Sequence, residues 1–500
     1  MQHENYAIFV VRCLAQAEIS VKQLGDKIIE LEGRQDLTRL EGTVLETVLR
    51  LGSIWLGLVL SYWAANLAAE AGTRRDCVCG GVARWVELRT KTILTLLGRV
   101  SYQRVYYHCK ECHKGEALGD RLWGLEHTRT SRAVKELLAY LAASTVGFVT
   151  VAKDLCRTMR WPEKWLSGKQ VQRLAEPLGK HLGEVEVKRV AKWWMMLTAG
   201  LSVSVGGVQS PVMAKGEAPN KGRVKAPQRM YVQMDGIMVR IRGAQGKGSD
   251  IWREFKVGAV FWAEAGRHAS KLAELVGKSA AAAASTVRVW VDRPQGAISY
   301  AAGMLTAADF GVRLYAEAVA RGIAGAKEVV VLADGAHWIW QLAEEHFPGA
   351  IQILDFRHAR ERVWAVADAV WGEGSAKAKE WAEAAIENHL IRGDVTGLLA
   401  AIGSLPKIAP LPGQNKSTPE KAMEYFQNNA GRMSYPQYRA RGMEIGSGVA
   451  ESSGRRVVGC RCKGPGMRWS EDGVTAIVAL RTQVLNNRYD AAIAELRKAA

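Results

Sequence analysis

Up to about residue 70 the apolar positions recur at helical spacing, Leu24, Ile28 and Leu31, then Leu37, Leu40, Val44, Val48 and Leu51, and predict a helical N-terminal region over 1–70. Such helices either pack on their own chain or pair with a second copy, and the spacing leaves both readings open. The longest apolar stretch, residues 52–69, contains Ser53, Ser61, Tyr62 and Asn66. It sits at the short end of the ~17–25 residues that a membrane span requires and is read as a buried helix, with no membrane partner expected. Over 71–125 the pattern turns to short β-like runs, with strands expected at 86–88, 93–97 and 104–108. Helical text resumes over 126–197. Residues 198–229 are rich in Gly, Pro, Lys and Ser without apolar period, which predicts a linker and a domain boundary.

Beyond the linker, continuous apolar runs alternate with helical ones. Strands are expected at 231–240, 255–262 and 287–291, then a helix over 306–321, a strand at 329–333, a strand at 351–354 and a helix over 359–371. A helical insertion spans about 375–440, carried by 377–404 and 419–429, and residues 486–500 form a C-terminal tail. The order β-β-β-α-β-α-β predicts an α/β fold with a ribonuclease H-like catalytic domain over 230–485.

Composition narrows the function classes. With 500 residues, 48% hydrophobic and 24% charged, the chain is globular rather than disordered. Its length suits two to four domains at about 100–200 residues each. A net charge of +18 favours polyanionic partners, nucleic acid before an anionic membrane. The opening residues Met1-Gln2-His3-Glu4-Asn5 carry no basic leader, so a cytoplasmic, nucleoid-associated protein is expected, in which the eight cysteines serve as thiols or metal ligands rather than disulfides.

Four of those cysteines form two close pairs, Cys77-Val78-Cys79 and Cys109-Lys110-Glu111-Cys112, flanking the β-like runs. Such spacing is that of a zinc-ribbon-like module, in which four thiolates surround one tetrahedral zinc ion as a structural cofactor. The first pair is one residue tighter than the usual knuckle, and His108 or His113 is an alternative ligand. Cys13, Cys156, Cys460 and Cys462 have no partner arrangement and are read as incidental or buried thiols. Downstream, 150–155 and 167–174 read as two helices of a helix-turn-helix-like region. Ser167 would be the N-cap, leaving Lys169, Gln170, Gln172 and Arg173 at the start of a DNA-reading helix. A plain helical spacer is the alternative.

The catalytic chemistry is read from three carboxylates. Asp235 lies on the first core strand, Asp334 ends the fourth, and Glu451 falls in the first turn of a helix beginning near Gly448. Either aspartate alone would pass for a turn residue. Their joint placement in this strand order predicts a site of hard oxygen ligands for two Mg²⁺ (or Mn²⁺) ions about 3.5–4 Å apart. Arg455, Arg456, Arg461, Lys463, Arg468 and Arg481 are expected to contact phosphates, against the alternative of a solvated basic face.

Several short motifs occur together from about residue 70 to the C-terminus: Val232-Gln233-Met234-Asp235-Gly236, Ala333-Asp334-Gly335-Ala336-His337-Trp338-Ile339-Trp340, Phe347-Pro348-Gly349-Ala350, Asp355-Phe356-Arg357-His358-Ala359, Gly446-Ser447-Gly448-Val449-Ala450-Glu451 and Lys463-Gly464-Pro465-Gly466-Met467-Arg468-Trp469-Ser470. With them the chain resembles the bacterial DDE transposases of the Kra-type insertion-sequence family and, more distantly, the Mutator-like transposases. It departs from the family pattern at Ala450 and in the contracted Cys-x-Cys pair. The resemblance implies Asp235, Asp334 and Glu451 as the catalytic triad, with Asp355 and His358 as an accessory pair, against the alternative that these two serve as a helix cap and a core hydrogen bond. It also implies double-stranded DNA, as insertion-sequence ends and target, for substrate, and metal-dependent cleavage and strand transfer for activity. Two rivals remain open on sequence: a non-catalytic DNA-binding regulator derived from such an enzyme, and a structure-specific DNA nuclease.

Overall fold

The computed structural model describes residues 2–31, 36–145, 147–198, 229–243, 250–263 and 298–499. By its internal contacts the chain divides into two units, Met1–Leu178 and Gly179–Ala500.

The first unit opens with two long helices, Gln2–Leu31 and Leu37–Ala71, the second capped by the Asp36 side chain, which accepts from the Thr38 amide at 3.0 Å. They run antiparallel, since Phe9 stacks on Tyr62 at 5.1 Å and the Trp55 indole donates to the Cys13 carbonyl at 3.1 Å. Much of the predicted apolar stripe stays open to solvent: Ile28, Leu37, Leu40, Val44 and Val48 are all exposed. The expectation of a buried helix over 52–69 needs correcting. The helix Leu37–Ala71 is long and apolar enough to cross a membrane by length and composition, and 11% of its most apolar window is buried. It is covered by the first helix along one side and by a β-hairpin along another, and most of its residues remain partly open. Leu60 joins Ile93, Val100, Tyr102 and Leu125 in one apolar cluster. A Cβ on Gly57 would lie 2.4 Å from the Ser101 carbonyl, so the absence of a side chain is what lets helix and strand approach.

That hairpin belongs to a four-stranded antiparallel sheet in sequence order, β1 (Arg74–Asp76), β2 (Val82–Thr95), β3 (Gly98–Cys109) and β4 (Gly115–Glu116). Where three short strands were expected there are two long ones. Residues 93–95 end β2 rather than start a strand of their own, and the chain turns back through Gly98, whose φ of 102° suits glycine alone. The short helix Leu118–Leu122 follows the sheet, and after it come Arg132–Ser144, Phe148–Thr158 and the start of Gly168–Thr198.

The second unit is built on a five-stranded sheet, β5 (Arg229–Ile241), β6 (Ile251–Ala263), β7 (Ile298–Gly303), β8 (Glu328–Ala333) and β9 (Ile351–Leu354), in the order β7-β6-β5-β8-β9. The first three strands are antiparallel neighbours, and β8 and β9 add parallel to β5. The third strand expected at 287–291 falls outside the described residues, and the third described strand is Ile298–Gly303. Both faces of the sheet are covered. Met230 through Met234 are buried without alternation, as are Val330 through Ala333, which is why these strands read as unbroken apolar runs. Helices follow at Ala307–Ala320, capped by Thr306, at His337–His346 and at Phe356–Trp371. A helical segment comes next, with Ala376–Ala385, Val395–Gly403 and Thr418–Asn429, where the helical insertion was expected; the last begins in a capping box between Ser417 and Glu420. After Gly448–Gly454 the chain stays helical through a π-turn at Arg455–Gly459, then forms the helix Glu471–Leu485.

Candidate functional site

The parallel strands of the second unit bring three aspartates to one edge. Gln233 pairs with Leu332 as the last partners of β5 and β8, and Ala333 pairs with Leu354 as the last partners of β8 and β9. Asp235, Asp334 and Asp355 therefore follow in matching register on adjacent strands about 4.8 Å apart, Asp334 and Asp355 just past the carboxyl ends of β8 and β9 and Asp235 midway along β5, where its pairing with β8 has stopped. Ligands of open α/β sheets collect at this edge. The register is fixed at the other end, where the buried Arg229 guanidinium grips Glu328 at 2.6 and 2.8 Å and reaches the Gly442 carbonyl at 3.1 Å.

Glu451 arrives on the helix Gly448–Gly454, packed against β5 and β6. Its approach depends on Gln233, a fully buried amide in an otherwise apolar strand, whose Oε1 accepts from the Ala450 amide at 2.8 Å. One turn on, a Cβ built at Gly454 would sit 3.7 Å from Asp235 Oδ2, so this helix face looks onto the aspartate. The carboxyl of Asp235 is held above its ordinary range, first by burial, then by the charges of Asp334 and Glu451, while the Gly236 amide donating at 2.7 Å pulls the other way. Three negative groups thus share one field.

Asp355 is turned toward its own network. Its Oδ1 accepts from the Arg357 amide at 2.9 Å and caps the helix Phe356–Trp371, while its Oδ2 meets His358 Nδ1 at 2.6 Å and accepts from the Ser447 hydroxyl. Ser447 precedes the Glu451 helix, so Asp355 joins the accessory histidine to the start of that helix. The imidazole pKa is raised to about 8, first through the hydrogen bond to Asp355. From the insertion, the Tyr425 hydroxyl donates to the Asp334 carbonyl at 2.7 Å, and Gly335 makes room for the ring with a φ of 99°. Gln233, Ser447 and Arg357 stand within the quoted motifs without an assigned role, and Tyr425 lies outside them. Gln233 alone carried a local signal, as a polar residue inside a buried run.

Arg357 Nη1 donates to Glu451 Oε2, with the two side chains 58% and 56% exposed, and Arg357 Nε also reaches Glu361 at 3.2 Å. Of the expected phosphate contacts, Arg455, Arg456 and Lys463 are exposed near this helix. The remaining three make contacts within the protein. Arg468 is paired with Asp250, Arg461 is buried with its guanidinium 5.0 Å from the Trp469 ring centre, and Arg481 donates to the Arg456 carbonyl at 2.7 Å.

In the first unit, Lys169, Gln170 and Arg173 are exposed at the start of Gly168–Thr198. Ser167 and Gln170 form a reciprocal cap, the Gln170 side-chain Oε1 accepting from the Ser167 backbone amide at 2.8 Å and the Ser167 hydroxyl accepting from the Gln170 backbone amide at 3.3 Å. Gln172 donates to Glu176 at 2.7 Å. Two of the four proposed reading residues are therefore partly spent on their own helix. The connection from Phe148–Thr158, which contains the 3₁₀ turn Glu163–Trp165, is longer than the 3–4 residues of a standard helix-turn-helix.

The cysteines converge. Cys77 and Cys79 lie in the β1–β2 turn, Cys109 ends β3 and Cys112 lies in the β3–β4 turn. Cys77 Sγ is 3.6 Å from Cys112 Sγ, Cys79 Sγ is 3.7 Å from Cys109 Sγ, and all four lie within 4.8 Å of one another. Sulfurs on a tetrahedron with Zn–S bonds near 2.3 Å stand about 3.8 Å apart. The four thiols could thus hold a metal such as zinc, and the tight Cys-x-Cys spacing does not keep Cys77 or Cys79 out of the set. Backbone amides, first that of Cys112, draw the Cys109 thiol down to about 7. At Cys79 the Gly81 amide also lowers the pKa, but the neighbouring Cys77 and Cys112 carry it up to about 12. Among the described residues this is the one set of three or more such ligands drawn so close. The Asp235, Asp334 and Glu451 carboxylates stand more openly. No protein-family model matches the chain, and no curated protein matches it.

Proposed function

We propose that the second unit is a ribonuclease H-like nucleotidyl-transfer domain and that the protein is a DDE transposase acting on double-stranded DNA. The observation that carries this reading is the shared register of Asp235 and Asp334 on β5 and β8, with the Glu451 helix laid against β5. A strand order of β7-β6-β5-β8-β9 with β6 antiparallel supports the fold part of it. The donor set is three carboxylates in one negative field, which fits hard divalent cations such as Mg²⁺ or Mn²⁺. Ions held there would lower the pKa of an attacking water or 3′-hydroxyl and stabilise charge on the leaving oxygen.

The protein's own groups supply placement. Asp235 and Asp334 are fixed by sheet register, and Tyr425 holds the backbone at Asp334. Gln233 and Ser447 set the start of the Glu451 helix. Exposed Arg455, Arg456 and Lys463 give the adjacent surface a positive charge suited to a phosphodiester backbone, in keeping with the net charge of +18. His358, raised to about 8 and largely protonated at neutral pH, adds a further cation beside the row of aspartates. The four-cysteine module is proposed as a structural zinc site in a DNA-binding half. Incubating the full chain with Mn²⁺ and a plasmid bearing its element's ends tests this. The expected result is nicking at those ends followed by strand transfer. Nicking without transfer would make it a nuclease, and end binding without nicking a regulator.

A further inference from the structure

Arg357 is the first cation in contact with the proposed third ligand. Its guanidinium donates to Glu451 Oε2 from the opening turn of the helix Phe356–Trp371, two residues after Asp355, and its Nε lies 3.2 Å from Glu361 one turn along. Glu451 is 56% exposed, whereas Asp235 is half-buried behind it. The three carboxylates do not form a close set of ligand atoms, although their charges reach Asp235.

Resting on the proposed carboxylate site, we infer that Arg357 is an internal cation that occupies Glu451 until a divalent metal displaces it. Guanidinium and metal compete for the same oxygen, so the metal binds more weakly than the bare carboxylates would allow. Once released, Arg357 keeps Glu361 as a partner and does not become an unpaired charge. The exchange is local, because both side chains are more than half exposed and no packed residue has to move.

The test is a titration of the zinc-loaded full chain with Mn²⁺ in the absence of DNA, counting free Mn²⁺ by electron paramagnetic resonance. An exposed ion pair is weak, so Arg357→Gln should tighten Mn²⁺ binding by about two- to fivefold. Arg357→Lys, which keeps the charge, should stay near the wild-type affinity and shows that a change in Arg357→Gln is not a folding defect. Equal or weaker Mn²⁺ binding by Arg357→Gln overturns the inference. Asp235→Asn separates it from the reading beneath it. If that variant loses Mn²⁺ while Arg357→Gln matches wild type, only the role of Arg357 is wrong. If Mn²⁺ binding ignores Asp235→Asn, the carboxylate site itself fails.

Discussion

Asp235 and Asp334 stand on the same rung of two parallel strands, each two residues beyond the last paired residues, Gln233 and Leu332. Their juxtaposition is thus a property of sheet register, and Arg229 and Glu328 set that register six rungs below. Replacing either aspartate by asparagine, or Glu451 by glutamine, keeps side-chain size and removes the charge that a hard cation prefers. Each variant is expected to lose metal-dependent nicking and transfer while gel-shift binding of the element's ends persists. Glu444→Gln is the control, since the backbone amide of Glu444 is tied to the Tyr231 hydroxyl at 2.9 Å, outside the carboxylate row. Loss of activity in Glu444→Gln with retention in Glu451→Gln would reassign the third carboxylate.

For the cysteine module, elemental analysis of the purified chain should find zinc in proportion to protein. Cys109→Ser should abolish that zinc and destabilise the β2–β3 hairpin, because Cys109 is fully buried at the end of β3 and metal binding is coupled to folding in such modules. Zinc retained at full stoichiometry in Cys109→Ser would remove Cys109 from the ligand set.

His358 gives a pH dependence of defined sign. Its pKa rises from 6.5 to about 8 on folding, with the Asp355 hydrogen bond the first cause. The stabilisation is therefore complete below pH 6.5 and is lost as pH climbs through about 8. Melting temperatures of the wild type and His358→Gln should differ most at pH 6 and converge by pH 9. A gap that widens at alkaline pH would contradict the ion pair.

Tyr425→Phe removes the hydroxyl that holds the Asp334 carbonyl at 2.7 Å while leaving the ring in place against Gly335. The expected cost is about 1 kcal/mol in denaturant unfolding, together with a several-fold fall in the rate of Mn²⁺-dependent nicking. Unchanged nicking would confine the contact between the insertion and β8 to a role in stability.

In the second unit the apolar pattern alone located β5, β8 and β9, because strands buried on both faces must read as continuous apolar runs such as Val329-Val330-Val331-Leu332-Ala333. The sequence also singled out Asp235, Asp334 and Glu451, whose local contexts mark a strand, a strand end and a helix start. The cysteine pairs were legible because ligand spacing is local, although the all-thiolate set of Cys77, Cys79, Cys109 and Cys112 became distinguishable from one using His108 or His113 only in three dimensions. Tertiary structure decided the rest. Helical periodicity could not tell whether Leu37–Ala71 would be covered, because burial depends on what else packs there, and the hairpin β2–β3 covers a single narrow strip. The basic residues near the C-terminus look alike in sequence, yet Arg468 meets Asp250 and Arg461 stacks on Trp469, while Arg455 and Arg456 stay exposed. The pairing of Arg357 with Glu451 joins residues 94 positions apart, a contact that folding creates and no local pattern encodes.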